Sequence, residues 1–300
     1  MVERARKLGP MAGGPHPAAA QDGVGSQLSG TTTSGRPASG RAASGRPVGN
    51  VTRGTTNPNR LRRVDRWIAA TAAQRLRGVP RPLVVDLGYG SSPRTAVELY
   101  DRLAAVVPQV ELTGIEIEPG RVREAQPFAT ERLQFIRGGF EVPTDRPPQL
   151  IRAFNVLRQY EEADVDAIWA TLRSRLAPGG LLVEGTCDEL GRLATWVALE
   201  KEGPVSLSLS LRFGSYENPS ECAARLPKAL IHHNIPGQAV HTFLEALDQA
   251  WWAQAPLAAF GSRQRWMASC ASLRAAGWPV LDGAARWRLG EITLAWSAVA

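Results

Sequence analysis

From residue 57 onward the apolar positions recur with two different periods. Asn57-Pro58-Asn59 is a helix-start signal, and Leu61, Val64, Trp67, Ile68 and Leu76 behind it fall on one helical face until Gly78 and Pro80. Pro82–Leu87 is a short apolar run stopped by Gly88, the pattern of a parallel strand buried on both faces. A helix over 94–106 follows, with Ala96, Val97, Leu99, Tyr100 and Leu103 inward. Next come a strand at Val110–Ile115, a short helix over 119–127, and strands at Leu133–Ile136 and Leu150–Phe154. A helix over 162–176 carries Val165, Ile168, Trp169 and Leu172 inward. The turn Pro178-Gly179-Gly180 leads into a strand at Leu181–Val183. This alternation predicts an α/β fold with a doubly wound, Rossmann-like parallel sheet.

The pattern changes after Thr186. Thr195–Leu199 and Val205–Leu211 read as an antiparallel hairpin, and the strict alternation VSLSLSL suits a strand with one face in water. Residues 219–278 read as a helical insertion with Trp251, Trp252, Phe260 and Trp266 on apolar faces, and Glu291–Val299 as a terminal antiparallel strand. Trp251, Trp252, Trp266, Trp278, Trp287 and Trp296 crowd this end of the chain. The expectation is that they form the core of a helical cap; the alternative is the wall of a pocket for a flat substrate.

Residues 1–54 carry neither period. The unit Ser-Gly-Arg recurs three times in SGRPASGRAASGRP, and almost no large apolar residue is present to offset the entropy of ordering. The expectation is a disordered Gly/Ser/Pro/Arg-rich tail over 1–54, shortened if translation starts at Met11 or Val51. A single domain over 55–300 follows. It has an entry helix (55–80), a cofactor-binding core (81–187), and a hairpin, helical cap and terminal strand (188–300).

Charge sharpens this division. The chain has 300 residues and a formal net charge of +7. Residues 1–60 hold eight basic residues against Glu3 and Asp22, which leaves 27 basic and 26 acidic groups in 61–300. The basic excess therefore belongs to the tail, the one segment suited to a nucleic-acid partner. No apolar run approaches the ~18 residues of a membrane span. Cys187, Cys222 and Cys270 are too far apart for a metal-binding pattern, and no His/Cys cluster appears. The expectations are a cytoplasmic protein, no metal and no membrane.

The chemistry concentrates after the first strand. Asp86-Leu87-Gly88-Tyr89-Gly90-Ser91-Ser92-Pro93 joins that strand to a helix, and Glu116 ends the next strand. Glycines at such a turn let the backbone approach a ligand, and a carboxylate at the second strand's end accepts from ribose hydroxyls. Pro93 has no N–H to offer a pyrophosphate, which favours a nucleoside joined to an amino acid over a dinucleotide.

With these residues the chain resembles the class I S-adenosylmethionine-dependent methyltransferases, over residues 80–187. VVDLGYGSSP is similar to their first motif, GIEIEPGRV to the second-strand motif, FIRGGFEVP to the loop over the adenine, FNVLRQY to the strand-four motif, and LAPGGLLVEGT to the entry into strand five. The resemblance implies S-adenosyl-L-methionine as cofactor, with contacts from Asp86, Gly88, Tyr89, Gly90, Glu116, Ile117, Gly139, Phe140 and Asn155. Ser92 replaces the usual third glycine. The adenine contact is divided between Phe140, which can stack, and Glu141 beside it.

No strong catalytic constellation accompanies this site, and methyl transfer needs none beyond alignment of the acceptor. His232 and His233 are candidates for a general base, against the plainer role of a helix-end cap. Thr186-Cys187-Asp188 has a faint likeness to the cysteine motif of RNA cytosine-5 methyltransferases, but the Pro-Cys pair that those enzymes carry after strand four is absent. Asn57, Asn59, Arg60 and Arg63 on the entry helix are candidates to lid the cofactor. The predicted function is methyl transfer, with a small molecule favoured as acceptor. The alternative is a non-catalytic Rossmann-fold interaction protein that engages nucleic acid through its basic tail.

Overall fold

The computed structural model describes residues 47–51 and 57–300, so the expected tail lies almost wholly outside the described residues. The entry helix is two helices, Arg62–Thr71 (α1) and Ala73–Arg77 (α2). The next elements are Leu83–Leu87 (β1), Arg94–Ala104 (α3), Glu111–Glu116 (β2), Pro119–Ala125 (α4), Leu133–Arg137 (β3), Leu150–Phe154 (β4) and Val165–Arg175 (α5). After them come Leu181–Cys187 (β5), Leu193–Leu199 (β6), Pro204–Leu211 (β7), Lys228–Ile231 (α6), Ala239–Ala253 (α7), Ser262–Ala275 (α8), Ala284–Trp287 (α9) and Glu291–Ala295 (β8).

All eight strands join one sheet in the order β3-β2-β1-β4-β5-β6-β7-β8. The first five pair in parallel, and β5 to β8 are antiparallel neighbours. Strand order reverses between β1 and β4. In open α/β sheets that reversal leaves a crevice at the carboxyl ends, where ligands bind.

Two apolar layers sandwich the sheet. One face packs Val84, Leu112, Leu150, Val183 and Trp196 against α1, α2 and α3. The other packs Leu87, Ile151, Leu182, Leu207 and Leu209 against α5, α7 and α8. α4 starts cleanly because Pro119 needs no N–H partner and the Glu118 carboxylate accepts from the Arg121 N–H at 2.7 Å.

Four expectations change. The alternating strand β7 is buried on both faces from Ser206 onward, not half-exposed. Two of its three serines find side-chain partners there: Ser208 Oγ bonds Thr293 Oγ1 at 2.9 Å, and Ser210 Oγ accepts from Arg63 at 3.1 Å. β5 runs four residues beyond Val183, to Cys187, through Glu184 and Gly185, which interrupt its apolar run. The stretch 219–278 is broken into a 3-10 segment at Pro219–Arg225, then α6, α7, a second 3-10 segment at Ala255–Phe260 and α8. The terminal strand stops at Ala295, and Trp296–Ala298 forms a 3-10 turn.

The tryptophans largely bear out a core role. Trp251, Trp266 and Trp287 are buried, whereas Trp252 is exposed. Among the described residues, no helix is long and apolar enough to cross a membrane, and no group of three His, Cys, Asp or Glu gathers to hold a metal.

Candidate functional site

The switch-point crevice is bordered by the β1–α3 loop and the ends of β2, β3 and β4. Gly88 and Gly90 both take left-handed backbone, at φ 70° and 85°, where a side chain would be strained. The Gly88 N–H bonds the Ile115 carbonyl at 2.8 Å. The Gly90 N–H bonds Glu116 Oε2 at 2.9 Å. Glu116 is thus the anchor of the glycine loop. It is 1% exposed, accepts also from the Ile117 N–H at 3.0 Å, and has the Arg121 guanidinium 3.6 Å away.

Asp86 does not face this crevice. Its side chain shares the sheet face of α1, where Arg152 on β4 lies in register beside it. Arg152 donates to Asp86 Oδ1 at 2.9 Å and Oδ2 at 2.7 Å, to the Thr95 carbonyl at 3.0 Å, and to Asp65 on α1. Arg102 reaches Asp65 Oδ2 at 2.9 Å and continues the chain of charges outward. Burial pushes Asp65 up to about 6, against the pull of Arg152 and Arg102. Arg152 itself loses hydration, but Asp86 and Asp65 hold its pKa above the ordinary arginine value. The first-motif acid is therefore engaged by Arg152 at the end of β1 and is not among the residues that line the crevice.

Tyr89 also turns away. It is buried, with its ring edge-on to Phe135 at 5.4 Å and its hydroxyl 3.3 Å from the Arg121 carbonyl. Only its backbone remains for the crevice. Asn155 takes a left-handed conformation at φ 58° where β4 ends. Its side chain is spent on β5, accepting from the Cys187 N–H at 3.0 Å and donating toward the Cys187 sulfur at 3.4 Å.

Ile117, Gly139 and Phe140 do converge, and with them Glu141, Val156 and Tyr160. Ile117, Gly138, Gly139, Phe140, Val156 and Tyr160 line a slot beside Glu116 and Gly88. Phe140 and Tyr160 tilt against each other at 5.3 Å. The slot holds a segment of the chain itself. Phe140 donates its N–H to the Val48 carbonyl at 2.9 Å, and Glu141 Oε2 accepts the Val48 N–H at 2.8 Å. Asn50 N–H reaches Tyr160 Oη at 2.5 Å, and Gln159 donates to the Asn50 carbonyl at 3.1 Å. About 10 Å³ remains empty there. This seat for 47–51 lies inside the stretch expected to be a disordered tail, and nothing in the side chains of a Pro-Val-Gly-Asn-Val run announces it.

The remaining candidates lie elsewhere. His233 Nε2 is 2.7 Å from Glu162, His232 Nε2 is 3.1 Å from Lys228 Nζ, and neither lines the slot. The entry-helix groups tie down structure instead of lidding the crevice. Arg63 bonds Ser210 and the Leu289 carbonyl, Arg60 bonds the Asp188 carbonyl, Asn57 bonds the Glu189 carbonyl, and Asn59 bonds Glu98 and Arg102.

No protein-family model matches the chain, and no curated protein sequence matches it. Solved structures do. The magnesium protoporphyrin IX methyltransferase of Synechocystis PCC 6803, with bound SAH, is 20% identical at a TM-score of 0.33, over 42% of this chain and 54% of that one. Human N-acetylserotonin methyltransferase in complex with SAM is 22% identical at 0.29, over 44% and 40%. A probable spermidine synthase from Corynebacterium glutamicum is 20% identical at 0.31, over 41% and 47%. The chain spans about half the length of these structures or less. Overlaps this partial carry no argument about activity, and the functional reading rests on the site.

Proposed function

We propose that the chain is an S-adenosylmethionine-dependent methyltransferase. The observation that carries this reading is the grouping, at the switch point of the sheet, of a left-handed glycine loop anchored on Glu116 with the Phe140 N–H and the Glu141 carboxylate. These are the donor and acceptor types that a nucleoside needs: a carboxylate for ribose hydroxyls, and an N–H beside a carboxylate for the hydrogen-bonding edge of adenine. The residues fit the cofactor once segment 47–51 is displaced.

Bound there, the cofactor supplies an electrophilic sulfonium methyl group. The chain's share is to hold and to exclude water. Glu116 and the backbone at Gly88 and Gly90 take the ribose and amino-acid portions, Ile117 and Phe140 sandwich the ring, and the backbone around Asn155 borders the reaction centre. Asp86 acts indirectly, by fixing the end of β1. A small-molecule acceptor is favoured because the body over 61–300 is almost neutral and offers no basic excess for nucleic acid. No structural observation favours the non-catalytic interaction protein, whose basic tail lies outside the described residues.

The test is calorimetric titration of the full chain with S-adenosylhomocysteine into the millimolar range, beside Glu116→Ala. Binding by the parent chain that is lost or weakened at least about ten-fold in Glu116→Ala supports the reading. Equal binding by both proteins removes Glu116 from the site.

A further inference from the structure

The slot beside Glu116 is full, and what fills it copies the edge of a nucleobase. Adenine presents an amino donor next to a ring-nitrogen acceptor. Val48 presents its N–H to Glu141 at 2.8 Å and its carbonyl to the Phe140 N–H at 2.9 Å, a donor and an acceptor on one edge. The body therefore meets Val48 with the same two groups that it would turn to adenine. We propose that this slot is a shared seat, occupied in turn by residues 48–50 of the chain and by the adenine ring of a nucleoside ligand. The segment is then a competitor in cis, and ligand entry requires its release. The inference rests on the cofactor reading above.

Three observations exclude simultaneous occupation. First, the segment lies directly on the slot floor: a Cβ built on Gly139 would come within 1.9 Å of the Val48 carbonyl oxygen, so no layer fits between them. Second, Gly49 lies exposed on its outer side and packs against the slot's walls on its inner side. Its φ is 127°, and a Cβ there would sit 2.9 Å from Tyr160 Oη, 3.2 Å from Ile117 Cδ1 and 3.4 Å from Phe140 Cε2. Third, the 10 Å³ left over has room for one water at most.

The segment is also built to leave. Its described hydrogen bonds to the slot all use its backbone, and Val48 is 53% exposed. A strip with little buried apolar surface opens at low cost compared with the core. Its hold depends on fitting glycine at one position rather than on any side-chain anchor.

Competition of this kind lowers apparent affinity by the fraction of molecules in which the seat is free. Two full-chain variants free it without touching the slot. Gly49→Val introduces the clash and a strained φ, and Val48→Pro removes the N–H that Glu141 accepts. S-adenosylhomocysteine should bind both variants about ten-fold or more tightly than the parent chain. Without ligand, exchange of the Phe140 amide should be slow in the parent and fast in both variants, with unfolding temperatures unchanged. Equal affinities in all three proteins, or a Phe140 amide equally exposed in all three, overturn the shared seat and leave the cofactor reading standing. Failure of the parent and both variants to bind at millimolar ligand overturns the cofactor reading and the sharing with it. Amide exchange then still reports whether the segment seats.

Discussion

Arg152 grips both carboxylate oxygens of Asp86, in register across β1 and β4, at 2.9 and 2.7 Å. Both residues are buried, and Asp65 on α1 takes up the remaining side of the same guanidinium. One cation thus balances two buried carboxylates and ties the entry helix to the strand that carries the glycine loop. Removing one partner of a buried pair leaves uncompensated charge, which costs about 3–5 kcal/mol. Arg152→Met should therefore lower stability by that order, read from denaturant midpoints. Adding Asp86→Asn and Asp65→Asn to Arg152→Met should recover part of the loss, because the orphaned charges go with them. A stable single variant, or a triple variant worse than the single one, would show that the network is not what joins α1 to the sheet.

The cysteines give a test of what the site does not use. Cys187, Cys222 and Cys270 are all buried. Burial raises the Cys187 thiol, with Arg60 and Asn155 pulling the other way, and the other two thiols are raised as well. Nucleophilic chemistry needs thiolate and access, and Cys187 has neither. Iodoacetamide at neutral pH should label all three only after denaturation. Fast labelling of Cys187 in the native chain would reopen its candidacy as a nucleophile.

What the sequence disclosed, and what it hid, follows from how each residue is held. β1 was legible because a strand covered on both faces reads as a nearly continuous apolar run, here broken only by Asp86 and closed by Gly88, and β2 because Leu112 and Ile115 stand before the acid that ends it. Glu116 was legible because its place at the end of β2 is set by chain order alone. Asp86 was placed at the right point on the strand but given the wrong partner, because nothing in LIRAF signals that its arginine is fully buried and points at β1. The serines of β7 read as a wet face, and the structure covers them with Arg63 and Thr293, both distant in sequence. Segment 47–51 left no trace in a side-chain pattern because its hold is main-chain hydrogen bonding and the absence of a Cβ at Gly49.

Glu184 is a buried acid without a hydrogen-bond partner among the described residues. It sits mid-strand on β5, in register with Ala153 and Val197, and neither carboxylate oxygen is satisfied. The indole N–H of Trp169 pulls its pKa the other way, and it too makes no hydrogen bond among the described residues. Burial pushes Glu184 up to about 8, from an ordinary value of 4.5. The sign of the pH dependence follows. Below about 4.5 the group is protonated in both folded and unfolded chains and contributes no pH dependence. Between about 4.5 and 8 the unfolded chain gives up the proton and the folded chain keeps it, so stability falls as pH rises, by up to ~1.4 kcal/mol per pH unit from this group. Above about 8 the loss is complete. Glu184→Gln removes the titration at nearly constant volume. Its unfolding temperature should lie close to the parent's near pH 4.5, rise progressively above it towards pH 8, and keep a constant margin beyond. Unfolding temperatures that run parallel for the two proteins across that window would mean that Glu184 finds a partner in solution, and Trp169 Nε1 is the group placed to provide it.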